Sequence, residues 1–251
     1  MTKTTLYSAY DPFAWIYNKH WGNTFLPTIL PILDNLILSK LKKNTRILDL
    51  CCGTGQLSQK LSALGYRVTG IDGSSAMLKY ARENAPGVEF FQKDAHDFKL
   101  PHKYHAVVSV FDSLNHVMTL RDLTSVFQRV HDVLREGGLF LCDLNTEPGY
   151  QYEWSGTHFT IVEEDHVCVV ENTYSPSRRV ATFDATIFRY TDGNWYRHDV
   201  KLYQKCHAPA RIKSALKSVG FTDIEVFGFD LQSGLQPLTK EMRRAFFFCH
   251  K

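Results

Sequence analysis

The stretch "ILDLCCGTGQ", residues 47–56, places an apolar run directly before two glycines that are one residue apart. The run is typical of a short buried strand, and the following "GQLSQKLSAL" has apolar residues at helical spacing. A second strand-like run, "YRVTGID", then ends at Asp72. This order is typical of a nucleotide-type ligand site. Glycines let the backbone approach a ligand closely, and a carboxylate at the end of the second strand can accept both hydroxyls of a ribose.

The glycine loop leaves two ligand classes open, a dinucleotide and S-adenosylmethionine. A P-loop is excluded because Gln56, and not lysine, follows Gly55. Asp49 favours S-adenosylmethionine, since a carboxylate repels a pyrophosphate at the helix N-terminus but attracts the ammonium of an aminoacyl group. Asp94, which follows the third strand in "QKDAHDF", is placed to accept a hydrogen bond from an adenine amino group.

The segment after the glycine loop alternates between strand and helix patterns. "SSAMLKYAREN" and "LTSVFQRVHDVLREGG" have helical spacing, whereas "VEFFQ", "YHAVVSV" and "GLFLCDL" read as strands. This alternation predicts an α/β fold, with a mostly parallel sheet and helices on both faces. The first 45 residues, in which Tyr, Trp and Pro are closely spaced, are expected to form a helical cap.

The pattern changes over residues 150–206, where strand-like runs follow one another without helices. "SPSRR" and "TDGN" are turn signals between these runs. We therefore expect an antiparallel β meander inserted over the substrate site of a main domain formed by residues 1–149 and 207–251. The main domain resumes with a helix at "PARIKSALKSVGF" and two strands, "TDIEVFGF" and "RRAFFFCHK".

Composition excludes several classes of protein. The net charge is +3 with scattered Lys and Arg, which argues against a nucleic-acid partner because phosphate binding needs clustered positive charge. The sequence has no run of about 18 apolar residues and no signal-peptide pattern, so we expect no membrane partner and a cytoplasmic location. None of the six cysteines forms a C-x-x-C pair, and no metal site is expected.

The motifs "LDLCCGTGQ", "GIDGSSAMLKYAR", "KDAHDF" and "LREGGLFLCDLNT" resemble those of the class I S-adenosylmethionine-dependent methyltransferases over residues 46–144. The resemblance implies a Rossmann-like three-layer sandwich with a seven-stranded sheet whose last strand is antiparallel. It implies S-adenosyl-L-methionine as cofactor. One departure is Cys51, which stands where the family usually has glycine.

The resemblance and the strand ends together give a set of expected cofactor contacts. Met77 and Phe111 are expected beside the adenine and methionine moieties, and the aromatic segment "YDPFAWIYNKHWG" is expected to contribute tyrosines. The expected cofactor-binding residues are Asp49, Cys51, Gly53, Gly55, Asp72, Gly73, Met77, Asp94, Ala95, Phe111, Tyr10 and Tyr17.

The expected substrate is a small-molecule metabolite methylated on an amine or a hydroxyl. The segment "SVFDSLNHV", which ends the fourth strand, places His116 where it can orient the nucleophile or accept its proton. The expected substrate contacts are Asp112 and Asn115 from the same segment and Tyr174, His198 and Tyr203 from the meander. Since side chains alternate along a strand, only some of the last three can face inward. Small-molecule methyltransferases, including those that act on the amino group of nucleotide sugars, have a similar N-terminal segment and sheet insertion.

Three other functions remain open from the sequence. A nicotinamide-dependent oxidoreductase predicts an optical signal from the reduced cofactor, and a noncatalytic adenosyl-ligand binding protein predicts binding without turnover. An RNA methyltransferase predicts strong RNA affinity, which the scattered charge disfavours. The protein is expected to be a monomer or a homodimer.

Overall fold

The computed structural model describes residues 8–230 and 234–251, and its described part contains two β-sheets. The strands of the larger sheet are β1 (Arg46–Leu50), β2 (Arg67–Asp72), β3 (Glu89–Gln92), β4 (Tyr104–Ser109), β5 (Leu134–Asn145), β10 (Thr222–Asp230), β11 (Gly234–Pro237) and β12 (Arg244–His250). These eight strands lie in the order β11-β10-β12-β5-β4-β1-β2-β3.

Strands β1 to β5 are parallel, and β12 is antiparallel to both of its neighbours, β5 and β10. The expected antiparallel last strand is therefore confirmed. An eighth strand, β11, extends the predicted seven and pairs antiparallel with β10 at one edge of the sheet. Its sequence "GLQP" has little strand propensity and ends in proline, which sheets tolerate at an edge.

The helices lie at α1 (Ala14–His20), α2 (Leu26–Leu36), α3 (Gln56–Ala63), α4 (Ser75–Asn84), α5 (Leu120–Val133), α6 (Glu147–Gly149) and α7 (Pro209–Ser218). Short 3₁₀ turns occur at Ser8–Tyr10, Leu38–Lys40 and Ser113–His116, and a π-helical turn at Tyr150–Trp154. Helix α5 ends at Val133, where β5 begins, so the "LREGG" expected in the helix belongs to the strand. None of the helices in the described ranges is long and apolar enough to cross a bilayer.

Alternation along the strands divides the core between the two faces of the large sheet. Phe246 and Phe248 of β12 pack with apolar residues of α2 and α3, whereas Phe247 packs on the opposite face with residues of α5 and α7. The strand order reverses between β1 and β4, so that these parallel neighbours continue in opposite directions across the sheet. Ligands of such sheets bind outside the carboxyl ends of the strands at this reversal.

The smaller sheet is an antiparallel meander with the order β6-β7-β8-β9. Its strands are β6 (Thr157–Glu163), β7 (His166–Ser175), β8 (Val180–Thr191) and β9 (Asn194–Lys205). One face of this sheet buries residues such as Val170, Ile187 and Leu202 against Ile16 of α1 and Met77 of α4. Helix α1 thus joins the meander to the larger sheet. Residues 1–7 of the expected cap and 231–233 of the main domain lie outside the described ranges.

Candidate active site

The glycine loop connects β1 to α3 through backbone conformations that favour glycine. Gly53 and Gly55 have φ angles of 53° and 82°, and Cys51 has a φ of 61°. A side chain at Gly55 would lie 2.9 Å from Ala81 of α4, so glycine is needed there for close packing. Cys51 adopts the same left-handed region with a Cβ atom, at a cost of about 1 kcal/mol.

Asp72, at the end of β2, holds the glycine loop in place. One carboxylate oxygen accepts a hydrogen bond from the Gly53 amide at 2.9 Å, and the other accepts one from the Ser74 amide at 2.9 Å. Burial raises the pKa of Asp72, although these backbone amides partly offset the rise. Each carboxylate oxygen has a further lone pair, so the group can accept hydroxyls from the cavity that it lines.

A cavity of about 560 Å³ lies at the carboxyl ends of the strands, between the glycine loop, α1 and the meander. Its volume is in the range of small-molecule sites. The expected residues that line it are Tyr10, Tyr17, Cys51, Gly53, Asp72, Gly73, Met77, Ala95, Phe111, Asp112 and His116. The structure thus brings together residues from five separate parts of the sequence.

Three expected cofactor contacts lie away from the cavity wall. Asp49 is buried beneath the glycine loop and accepts a hydrogen bond from the Ser58 hydroxyl at 2.6 Å, while burial raises its pKa to about 7. Gly55 packs on α4. Asp94 turns its carboxylate onto His96, with 2.5 Å between Oδ1 and Nδ1, while the adjacent Ala95 lines the cavity.

Tyr17 covers the glycine loop from α1. Its ring lies 6.2 Å from the ring of Phe111, and a Cβ atom at Gly53 would approach it to 3.6 Å. Burial raises the pKa of the Tyr17 hydroxyl, and the carboxylate of Asp112 adds to the rise. Phe111 and Asp112 themselves have φ angles of 64° and 49°, an uncommon left-handed pair at the end of β4.

His116 belongs to a hydrogen-bonded group at the other end of the cavity. Its Nδ1 lies 2.9 Å from the backbone oxygen of Tyr203, and its Nε2 lies 3.0 Å from Nε2 of Gln204. Burial lowers the pKa of His116, and the nearby Asp112 carboxylate partly opposes this. The rings of His116 and Tyr10 are also close to perpendicular, with 5.4 Å between centroids. The imidazole is therefore held in place on three sides.

Asp112 is the anionic centre of the same group. Its carboxylate accepts hydrogen bonds from Gln204 at 2.6 Å and from Arg244 at 2.8 Å. Arg244 also contacts the buried Asp143, and the two carboxylates raise the pKa of the guanidinium although burial opposes them. Gln204 and Arg244 both line the cavity, but the sequence analysis did not identify either of them.

The other expected substrate contacts lie outside the cavity wall. Asn115 is fully buried and binds backbone groups of Asn145 and Lys205, so its amide joins two strands. Tyr174 stacks on Tyr150, with 5.3 Å between centroids. His198 and Tyr203 of β9 are exposed.

Side-chain alternation along β9 and the length of this strand explain why Tyr203 and His198 lie outside the cavity wall. Gln204 points inward with Leu202, so its neighbour Tyr203 must point outward and is 48% exposed. His198 has the same parity as Leu202 but lies six residues from Gln204, beyond the part of the strand that borders the cavity.

An aromatic wall that the sequence analysis also missed completes the cavity. Phe13 and Trp21 come from the N-terminal segment, and Phe159 and Phe183 come from the meander, with 5.2 Å between the rings of Phe13 and Phe183. Trp154 closes the same side. The composition of the N-terminal segment indicated such packing, but the partners on the meander are about 140 to 170 residues away in sequence.

The cavity wall is chemically suited to S-adenosylmethionine. The Asp72 carboxylate can accept the ribose hydroxyls, Gly53 presents no side chain, and Met77 and Ala95 offer apolar surface to a base. Within residues 8–230 and 234–251, no three His, Cys, Asp or Glu side chains cluster as metal ligands would. The absence of a metal requirement stays a prediction.

Comparisons with known proteins agree with this chemistry. Residues 47–138 match the methyltransferase-domain family. A methyltransferase-like protein of Geobacillus sp. (strain WCH70) is 29% identical over 229 residues, which cover 86% of this chain and 90% of the relative.

Two solved structures show the fold over nearly the whole chain. An S-adenosylmethionine-dependent methyltransferase from Clostridium acetobutylicum superposes with a TM-score of 0.78 at 21% identity, covering 96% of this chain and 98% of the other. CalS10, a Micromonospora amino pentose methyltransferase solved with S-adenosylmethionine bound, has a TM-score of 0.71 at 18% identity and 95% coverage of both chains.

Proposed function

We propose that this chain, a class I S-adenosylmethionine-dependent methyltransferase, methylates an amine of a small-molecule metabolite, with a hydroxyl as the less favoured acceptor. The observation that carries the proposal is the position of His116 beside Asp112 on the wall of the cavity that the glycine loop also borders, where burial lowers the pKa of the imidazole. A weak base is poorly suited to remove a proton from a hydroxyl. It is adequate for an amine, whose neutral form already carries a reactive lone pair.

S-adenosylmethionine, when bound, supplies a methyl group that the sulfonium makes electrophilic. In the proposed arrangement, Asp72 accepts the ribose hydroxyls, and the loop at Gly53 lets the backbone approach the aminoacyl part. Tyr17 and Phe111 exclude water from that region with their rings. His116 orients the acceptor amine and takes up the proton that the methylated nitrogen releases.

We also propose that the two sheets have different roles, one in cofactor binding and the other in acceptor binding. The cofactor region uses residues 1–149 and 207–251, and the meander within residues 150–206 forms the roof over the acceptor. Support comes from the inward positions of Phe159, Phe183 and Gln204 on the cavity wall. A concave cavity of about 560 Å³ suits a small acceptor better than a polymer.

The amino pentose methyltransferase named above supports an amino sugar as one acceptor to test. The purified chain is incubated with methyl-labelled S-adenosylmethionine and a panel of amino sugars, aromatic amines and matched hydroxyl compounds. The proposal expects label transfer to at least one amine, with a lower rate for its hydroxyl analogue, and little transfer to RNA. Preferred labelling of hydroxyl compounds would overturn the amine assignment, and preferred labelling of RNA would overturn the small-molecule assignment.

A further inference from the structure

Gln204 lies where the meander borders the part of the cavity that contains His116, Asp112 and Arg244. It is the penultimate residue of β9, its side chain faces the cavity, and only 3% of the residue is exposed. Its amide contacts four other side chains, those of Asp112, His116, Tyr150 and, at 3.5 Å, Asn145, and thereby connects the meander with the loop after β4. A buried amide with this many partners has a fixed orientation.

The hydrogen-bond partners of Gln204 fix the orientation of its side-chain amide. Nε2 lies 2.6 Å from the Asp112 carboxylate, which is ion-paired with Arg244 and can only accept. Oε1 lies 2.7 Å from the hydroxyl of Tyr150, which can donate. The opposite orientation would place the amide oxygen against a carboxylate oxygen. The second N–H of Gln204 must therefore point to Nε2 of His116, 3.0 Å away.

The second ring nitrogen of His116 is constrained independently. Nδ1 lies 2.9 Å from the backbone oxygen of Tyr203, which is an acceptor and requires a proton on Nδ1. Nε2 faces an N–H donor and requires a lone pair. Both contacts are satisfied together by only one form of the ring, the neutral imidazole with its proton on Nδ1.

We propose that Gln204 is a positioning residue that holds His116 as a neutral imidazole with the proton on Nδ1 and the lone pair on Nε2. The role of His116 in methyl transfer rests on the proposed function, but its tautomer does not. A neutral ring avoids repulsion with the sulfonium, and Nε2 can accept a proton when an acceptor displaces the Gln204 hydrogen bond. A proton on Nε2 of His116 would instead point at the N–H of Gln204, so that two donors would face each other.

The charged and titratable groups around His116 come from several elements. Asp112 lies on its own loop and favours the cation, and Arg244 of β12 acts through Asp112. Tyr10 of the N-terminal turn packs nearly perpendicular to the imidazole, and the Tyr150 hydroxyl bonds to Gln204. Against the attraction of Asp112, burial lowers the pKa of His116. The amide of Gln204 adds a directional reason for the same neutral state.

The first test is the tautomer of His116 in the unmodified protein. Long-range proton–nitrogen correlation spectra of the ¹⁵N-labelled protein are recorded at pH 7.5, with and without S-adenosylhomocysteine. Because the chain has 11 histidines, the His116 signal is assigned from its loss in His116→Gln. The neutral form with the proton on Nδ1 is expected. A proton on Nε2, or a cationic ring at this pH, would overturn the proposal.

The second test changes the side-chain N–H of Gln204 that faces Nε2 of His116. Gln204→Glu replaces this N–H by an acceptor, and Gln204→Met removes it. The titration midpoint of His116 should therefore move to higher pH in both variants, and further in Gln204→Glu. Tyr203→Phe is the matched control, because it changes an exposed side chain and keeps the backbone oxygen. An unchanged midpoint in folded Gln204→Glu would also overturn the proposal.

The two tests separate this inference from the proposed function. Neither test uses a methyl acceptor, so the lack of any acceptor would contradict the proposed function and leave the spectra to decide on Gln204. If Gln204→Met fails to fold, the wild-type tautomer and the Gln204→Glu titration still decide. With an active acceptor, the acid limb of the rate profile should move to higher pH in Gln204→Glu but not in Tyr203→Phe.

Discussion

Removal of the Asp72 carboxylate is expected to weaken S-adenosylmethionine binding by about one to two orders of magnitude. The Gly53 and Ser74 amides, each 2.9 Å away, fix both oxygens and leave lone pairs for ligand hydroxyls. A hydrogen bond to a charged group contributes about 1.5–3 kcal/mol. That range corresponds to an increase in Kd of about 10- to 150-fold. Asp72→Asn, which keeps one acceptor, should fall near the lower end, and Asp72→Ala near the upper end.

The assay is calorimetry with S-adenosylhomocysteine and S-adenosylmethionine at pH 7.5. Asp72→Ala also leaves two backbone amides without their acceptor, so thermal unfolding without ligand must show that each variant is folded. Asp94→Ala is the matched control, since its carboxylate also follows a strand but bonds to His96 and does not itself line the cavity. The control should change binding by about 0.5 kcal/mol or less, which is about twofold. A folded Asp72→Ala with unchanged affinity would exclude Asp72 as a ligand of the cofactor, and an equal loss in Asp94→Ala would show that the loss is not specific to the Asp72 carboxylate.

Three further changes test the site and the elements around it. Burial raises the pKa of Asp49 to about 7, so the contribution of Asp49 to stability should fall as pH rises from about 4 to about 7. Asp49→Asn should remove this fall when urea unfolding is compared at pH 5 and pH 8, and an equal pH dependence in both proteins would contradict the explanation. Burial and the adjacent His166, with 2.7 Å between the two Nε2 atoms, lower the pKa of His20, so its contribution to stability should be lost as pH falls below about 6.5. Burial also lowers the pKa of other histidines, including His116, so His20→Phe should reduce the acid loss without abolishing it, and an undiminished loss would exclude His20 as a source. Phe183→Ala should raise the KM for the acceptor and leave the Kd for S-adenosylhomocysteine within about twofold, and the opposite pattern would place Phe183 on the cofactor.

The parts of the fold that the sequence predicts are those in which local pattern and structure coincide. Strand β1, the glycine loop and α3 are contiguous, so the residues 47–56 alone indicate their arrangement. Asp72 was predictable because the end of a parallel strand fixes its position at the sheet edge. Cap chemistry is equally local, as the Ser74 hydroxyl accepts from the Met77 amide at 3.1 Å where α4 begins.

The parts that the sequence could not predict depend on contacts between distant segments. Gln204 and Arg244 reach Asp112 from strands that lie 92 and 132 residues away, and no local pattern indicates either contact. The exposed Tyr203 was misplaced because its parity on β9 depends on which face of the meander packs on α1. Asp94 has the expected strand-end position, but its carboxylate bonds to His96, and it is His96 that lines the cavity.

The decisive measurement is a crystal structure of the chain with S-adenosylhomocysteine. We expect the ribose hydroxyls on the Asp72 carboxylate, the homocysteine part against the loop at Gly53, and the sulfur facing the part of the cavity that His116 borders. A well-ordered ligand whose ribose lies away from Asp72, or whose sulfur is shielded from His116 by protein, would contradict this expectation.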